Sequence, residues 1–295
     1  MIPAGANYAR EEPATVSFWD IPEVKTSSSL HLAVGEVHLW LAAMDQPEGG
    51  WRQAFSWLDE AEKDQTGRFA RDRERRCFIC RRGILRKILS LYLDMAPPAL
   101  RFRYGPHGKP YLASPIGDGE LEFSCSHSHD AALYAFSRGR RIGVDLERLT
   151  GIPEAEEIAV RQLSPQWAAL WRRLPPDQKN LVFLRWWTQT EAYLKAVGEG
   201  WADQGGDPGI VGLFFPGEGH RRWSDSHRPG GPWSGEVFFP ASGYVAAVAV
   251  EGPEISLPRV EQVAPERPAA CANRFGLVTR LNTHFRHLAL GLPVA

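Results

Sequence analysis

The sequence predicts an α+β fold, and three observations carry that reading. A long helical stretch over residues 66–93 is followed by short apolar runs broken by tight turns. A second helical stretch, 183–196, is again followed by short alternating runs, so the second half repeats the order of the first without visible sequence identity. With 295 residues, 43% of them hydrophobic and 11% aromatic, the chain has the apolar material to bury a sizeable core.

Residues 1–35 carry Pro3, Pro13, Pro22 and three consecutive serines, and read as an N-terminal arm packing through Phe18 and Trp19. The first α+β half is assigned to 36–149. Its first strand is expected at 36–42, where apolar and polar residues alternate until the turn-rich stretch 46–50. A single helix is expected over 51–64. The helix at 66–93 sets Phe78, Leu85, Ile88, Leu89 and Tyr92 at spacings of three and four on an apolar face. Its other face gathers Arg68, Arg71, Arg73, Arg75, Arg76, Arg81, Arg82, Arg86 and Lys87 against only Asp72 and Glu74. Such a face is either solvated or holds phosphate or an acidic partner. After Pro97 and Pro98, strands are expected at 100–104, 121–124, 133–136 and 142–146, with a loop at 105–110.

The second half is assigned to 150–250. A Pro-punctuated connection leads to the 183–196 helix, which Gly198 stops. Strands are expected at 211–215, 235–239 and 244–250. Residues 251–295 read as a Pro-rich tether and a C-terminal amphipathic helix over 273–290.

A net charge of −1 argues against a nucleic-acid partner gripped over the whole surface. Four cysteines are too few for a disulfide framework in a chain of this length. No signal peptide or membrane-spanning run stands out, so a soluble, cytoplasmic protein with no membrane partner is expected.

The chemistry concentrates in a few stretches. In I-G-V-D-L-E (142–147) a strand puts Asp145 and Glu147 on one face, roughly 7 Å apart. Two such carboxylates either face water at a strand end or share a cation. Glu191 and Lys195 stand four apart on one helix face. By themselves they are a surface ion pair; beside Asp145 and Glu147, Glu191 completes a hard-cation site suited to Mg²⁺. Lys109 and Pro110 lie in a G-K-P loop, and F-S-C-S-H-S-H-D (123–130) offers hydroxyl and imidazole donors in one turn, including Ser126 and His127. A zinc site on Cys125, His127 and His129 is a weak alternative, and Cys77-x-x-Cys80 lacks a second pair. A purely structural His127 also stands as an alternative.

In order, G-K-P-Y-L, S-H-S, I-G-V-D-L-E and W-T-Q-T-E-A-Y-L-K-A-V-G-E-G resemble the motif series of the surfactin-type 4′-phosphopantetheinyl transferases, over roughly residues 36–250. The resemblance implies two similar halves about a pseudo-twofold axis, with coenzyme A in the cleft between them. It implies Mg²⁺ held by Asp145, Glu147 and Glu191, with Lys195 on the pyrophosphate. Lys109, Pro110, Ser126 and His127 would hold the nucleotide part, and Arg76 or Arg73 a phosphate. A serine of an acyl, peptidyl or aryl carrier protein would attack the phosphorus, with Glu191 taking its proton and Lys195 serving the departing 3′,5′-ADP. A monomer is expected. The chain departs from relatives at Thr190, where Lys is frequent, at Ser124, where Asn is frequent, and at Cys77, where a basic residue is frequent. Two rival readings are another Mg²⁺-dependent nucleotide phosphohydrolase and an inactive module that binds coenzyme A or carriers.

Overall fold

The computed structural model describes residues 30–45, 48–113, 120–152, 155–162, 169, 171–200, 221–225, 231–252 and 278–283. Strand β1 (Val37–Ala43) leads to helices α1 (Glu48–Ser56), α2 (Glu60–Thr66) and α3 (Asp72–Leu93). A 3-10 turn at Pro97–Ala99 precedes the hairpin β2 (Phe102–Tyr104) and β3 (Pro110–Leu112), then β4 (Leu121–Ser128) and β5 (Ala131–Arg138). The second series is β6 (Ile142–Arg148), α4 (Ala155–Gln162), α5 (Pro176–Val197), β7 (Arg221–Asp225), β8 (Trp233–Phe238) and β9 (Tyr244–Glu251). Strand β10 (Val278–Thr283) follows.

Two four-stranded antiparallel sheets result, in the orders β10-β1-β5-β4 and β6-β9-β8-β7. The inner trios β1-β5-β4 and β6-β9-β8 are wired alike: the first strand pairs with the third, and the helices fall between the first and second. This is the α+β fold expected, with the same unit built twice.

The period of two along each strand sorts its side chains between layers. In β1, Trp40 and Ala42 pack with Ile84, Ile88 and Leu89 of α3. Val37, Leu39 and Leu41 point the other way, into a core shared with Val144, Leu146 and Val248 of the second sheet. On the far side of that sheet, Phe183, Leu184 and Tyr193 of α5 pack with Trp233, Val245 and Ala247. The layers therefore run helix, sheet, sheet, helix. Each fully buried large apolar side chain contributes about 1.5–3 kcal/mol to holding them.

The structure departs from the expected elements in four places. The helix expected over 51–64 is two helices, because Asp59 caps α2 by accepting from the Glu62 N–H at 2.9 Å. The long helix starts at Asp72 rather than at 66. Strand β6, assigned by sequence to the first half, pairs with β9 (Asp145 opposite Ala247) and belongs to the second sheet. The crossing between sheets falls instead at the turn where Gly139 takes φ +66°. Finally, Val278–Thr283 is a strand where a helix was expected over 273–290. It pairs antiparallel with β1, Leu39 opposite Leu281, and satisfies backbone groups along an edge otherwise left open. The strand expected at 211–215, the segment with Phe18 and Trp19, and residues 253–277 of the tether lie outside the described residues.

Candidate active site

The two sheets meet where β4 runs beside β6, and three alternate residues of β4 facing that junction, at 124, 126 and 128, are serines. Ser124 Oγ accepts from the Val144 N–H at 3.2 Å. Ser126 Oγ donates to Asp145 Oδ1 at 2.7 Å. Ser128 Oγ donates to Glu147 Oε2 at 2.8 Å and accepts from the Arg148 N–H at 3.1 Å. The stretch 121–128 is thus strand throughout, and the donors expected in one turn are spread along its two faces.

Helix α5 reaches this junction because of Gly143. A Cβ there would lie 1.9 Å from the Ala192 carbonyl oxygen and 2.5 Å from the Ala196 nitrogen, so only glycine lets helix and strand backbones touch. That contact sets the Lys195 ammonium 2.6 Å from Asp145 Oδ1 and 3.2 Å from Ser126 Oγ.

The electrostatics of the junction are tightly coupled. Asp145 is 3% exposed, and its second oxygen, Oδ2, is buried with no hydrogen-bond partner. Burial raises the Glu147 pKa, and the charges of Asp145 and Glu191 add to the rise while Ser128 and Lys195 oppose it. Burial pulls the Lys195 pKa down, but the charge and hydrogen bond of Asp145, with Glu191 behind them, outweigh it and leave the pKa raised. Among the described residues no three His, Cys, Asp or Glu side chains converge closely enough to hold a metal ion as they stand. The Lys195 ammonium lies against Asp145 instead. The donor chemistry nonetheless fits a hard cation: an orphaned buried carboxylate oxygen sits among mutually repelling carboxylates. Mg²⁺ takes only one or two carboxylates and keeps waters for the rest.

The remaining expected site residues fall in several environments. Lys109 turns inward, donating to the carbonyl oxygens of Ile142 at 2.9 Å and Lys195 at 2.7 Å. Its burial lowers its pKa to about 8. It therefore ties the β2–β3 hairpin to the start of β6 and the last turn of α5, where carbonyl dipoles favour a cation. Pro110 opens β3 opposite Tyr104. His127 lies on the opposite face of β4 from the serines, and Arg81 Nη1 donates to its Nε2 at 2.6 Å. Desolvation lowers the His127 pKa to about 4, with Arg81 and Lys195 adding, so the ring is a neutral acceptor. Arg76 pairs with Asp72 at 2.6 Å and stacks over Trp51.

The arginine face of α3 is also less open than its sequence reads. Arg82 and Arg86 are buried, and both donate to Glu62. Arg86 also reaches Asp59 and the carbonyls of Pro97 and Leu100, and the Arg82 guanidinium lies over Phe102 and Tyr104. Arg71, Arg73 and Arg75 pair with Glu74, Asp130 and Asp72. Of the Cys77-x-x-Cys80 pair, Cys80 is packed in the core, where burial pushes its pKa up to about 12.

Sequence reasoning missed Ser128 as a partner of Glu147 and Arg81 as the partner of His127. The signal for the first was present: S-x-S-x-S at 124, 126 and 128 puts three hydroxyls on one face of any strand.

Comparison with known proteins bears on this junction directly. Residues 42–138 match the family model described as 4′-phosphopantetheinyl transferase, N-terminal, and residues 141–248 match the 4′-phosphopantetheinyl transferase superfamily model. The boundary between them falls at the crossing between the two sheets. The 4′-phosphopantetheinyl transferase HetI of Nostoc sp. is 41% identical over 172 residues, which cover 58% of this chain and 73% of the relative. The chain belongs to the 4′-phosphopantetheinyl transferase superfamily. More distant transferases match over less of their length. The 4′-phosphopantetheinyl transferase pptA of Paxillus involutus is 28% identical over 53% of this chain and 65% of its own. The human L-aminoadipate-semialdehyde dehydrogenase-phosphopantetheinyl transferase is 26% identical over 51% of each chain. All the residues that meet at the junction, from Ser124 to Lys195, lie within the segments matched by these two models.

Proposed function

We propose that this transferase moves the 4′-phosphopantetheine arm of coenzyme A onto a serine of an acyl, peptidyl or aryl carrier protein, in the manner of the surfactin-type members of its superfamily. The observation that carries the reading is the junction itself. Ser126 and Ser128 on one side and Asp145, Glu147 and Lys195 on the other meet at the seam, where one buried carboxylate oxygen of Asp145 has no hydrogen-bond partner. The charge of Glu191 is felt at Glu147 and Lys195.

On this reading Asp145, Glu147 and Glu191 would hold Mg²⁺, and the orphaned Oδ2 of Asp145 would be one of the oxygens offered to it. The ion, when bound, neutralises pyrophosphate charge and polarises the phosphoryl oxygens. Glu191 accepts the proton of the attacking carrier serine. A bond forms from the serine oxygen to the phosphorus bearing pantetheine, and the bond from that phosphorus to the bridging oxygen breaks. Lys195 faces the oxygen on which charge develops, and 3′,5′-ADP leaves. Catalysis is then positioning plus charge stabilisation, the usual division of labour in phosphoryl transfer.

Phosphates of coenzyme A fall to the Arg81–His127 pair and to arginines near the start of α3. Lys109 serves as a brace for α5 on this reading, since its ammonium already holds two carbonyls. Coenzyme A and its carriers imply a cytoplasmic enzyme; among the described residues no helix is long and apolar enough to cross a membrane. The test is mass spectrometry of several apo carrier proteins incubated with the protein, coenzyme A and Mg²⁺. A phosphopantetheine mass on a carrier serine, with 3′,5′-ADP released only when carrier is present, is the expected result. Coenzyme A breakdown without carrier would point to a phosphohydrolase instead.

A further inference from the structure

The hydroxyls of β4 do something that neither the family match nor the proposed reaction requires. Each of the two inner carboxylates has one oxygen tied to a serine. Asp145 Oδ1 accepts from Ser126, and Glu147 Oε2 accepts from Ser128. An ionised carboxylate only accepts, so Ser128 is the donor to Glu147; its oxygen also accepts from the Arg148 N–H, and His129 Nδ1 lies 3.3 Å from it. At Ser126 likewise the carboxylate of Asp145 accepts and the hydroxyl donates, while its oxygen accepts from the Lys195 ammonium. The other Asp145 oxygen, Oδ2, is left buried without a partner. Ser124 makes a simpler contact: its oxygen accepts from the Val144 N–H, with no carboxylate involved.

We propose that Ser126 and Ser128 are positioning residues for the metal site. Each pins one oxygen of a carboxylate across the sheet junction, so that the other is presented to Mg²⁺. This rests on Asp145 and Glu147 being ligands. Ser124 belongs to the same ladder but only joins the sheets. Hydrogen bonds to a ligating carboxylate restrict its rotation and tune its basicity, and losing one typically costs a site 10–100-fold in metal affinity.

The three serines supply their own control. Ser128→Ala and Ser124→Ala each delete one buried hydroxyl from the same strand, so both test the junction as structure. Only Ser128→Ala loosens a carboxylate. Mn²⁺ is titrated into the full chain with coenzyme A present, free ion is followed by electron paramagnetic resonance, and a titration of coenzyme A alone is subtracted. Ser128→Ala is expected to weaken Mn²⁺ binding roughly tenfold, at the lower end of that range. Ser124→Ala stays within twofold of the unmodified chain, and Ser128→Thr, which keeps the hydroxyl, recovers most of the loss. In turnover, the Mg²⁺ concentration for half-maximal rate rises for Ser128→Ala, and saturating Mg²⁺ restores much of the maximal rate. A lost brace in the fold would not be restored by the ion. Equal effects of Ser124→Ala and Ser128→Ala, or Mn²⁺ binding within twofold of the unmodified chain for Ser128→Ala, overturn the proposal. Two further controls distinguish this from failure of the metal reading. If the unmodified chain takes up no Mn²⁺ beyond coenzyme A, or if Glu147→Gln binds as it does, the ligand assignment itself falls.

Discussion

Helices α3 and α5 are each 22 residues long and cover the outer faces of similarly wired sheets, yet their charged side chains end differently. On α3, Arg86 is fully buried and donates to Asp59, Glu62 and two carbonyls, while Arg82 takes the other oxygen of Glu62. Both oxygens of Glu62 are used, and the network closes on itself. On α5, Lys195 meets Asp145 and Ser126, and the second oxygen of Asp145 is left over. Burying a polar atom without a partner costs about 1–3 kcal/mol. One charged cluster is complete within the fold, and the other leaves a buried acceptor at the seam of the halves, the place of the proposed metal site.

That contrast can be broken at either end. The largest effect is expected at the open cluster. Asp145→Asn, Glu147→Gln or Glu191→Gln should each lower the transfer rate by about a thousandfold or more, the scale on which loss of transition-state charge stabilisation is felt. Single-turnover assays at saturating coenzyme A and limiting Mg²⁺ check this, and a variant that retains full rate removes that carboxylate from the metal site.

At the closed cluster, Arg86→Met should act on stability alone. It leaves buried Glu62 with Arg82 alone and half-buried Asp59 without a guanidinium. The loss should approach the lower end of the about 3–5 kcal/mol seen when one member of a buried ion pair is removed. Urea unfolding reads the loss directly, and the rate per folded molecule should stay unchanged. If transfer fails while the fold holds, the two clusters are not distinct in kind.

Lys195 sharpens the comparison from the side of chemistry. Lys195→Ala is expected to lower kcat by about a hundredfold and to raise the KM for coenzyme A far less, since charge develops opposite it only as the bond breaks. Lys195→Arg separates charge from proton donation. Rescue by Arg leaves Lys195 a fixed cation, whereas failure of Arg assigns it the proton.

The smallest effect concerns pH. The folded His127 pKa, about 4, lies below the ordinary value of 6.5. The unfolded chain therefore binds its proton first as pH falls. The stability His127 contributes is complete above about pH 6.5 and is lost as pH drops toward 4. His127→Gln should flatten the slope of Tm between pH 7 and 5, and an unchanged slope would mean that other groups set the acid response.

The elements most legible in the sequence were those fixed by local pattern. Strand β6 follows from alternation in I-G-V-D-L-E, and α5 ends at Gly198, whose φ of +81° favours glycine. Non-local partners were harder to read. Arg82 and Arg86 look like members of a solvated face because nothing in α3 reveals that Asp59 and Glu62, some twenty residues earlier, will lie against them. Lys109 sits in a loop that reads as a phosphate contact, while its two acceptors come from carbonyls 33 and 86 residues away. The C-terminal segment has a helical apolar period, and the open edge of β1 overrides it.

That last pairing bears on how the molecule is made. β1 leaves the ribosome early, with residues 37–42, whereas its partner at 278–283 emerges some 240 residues later. Through nearly all of synthesis the first sheet presents an apolar strand with one row of backbone donors and acceptors uncovered, the condition under which nascent chains pair with one another. The strand that completes the sheet thus also ends its vulnerable period. Chains released between residues 252 and 278 should accumulate as aggregates even though every residue of the proposed transfer site has already been synthesised.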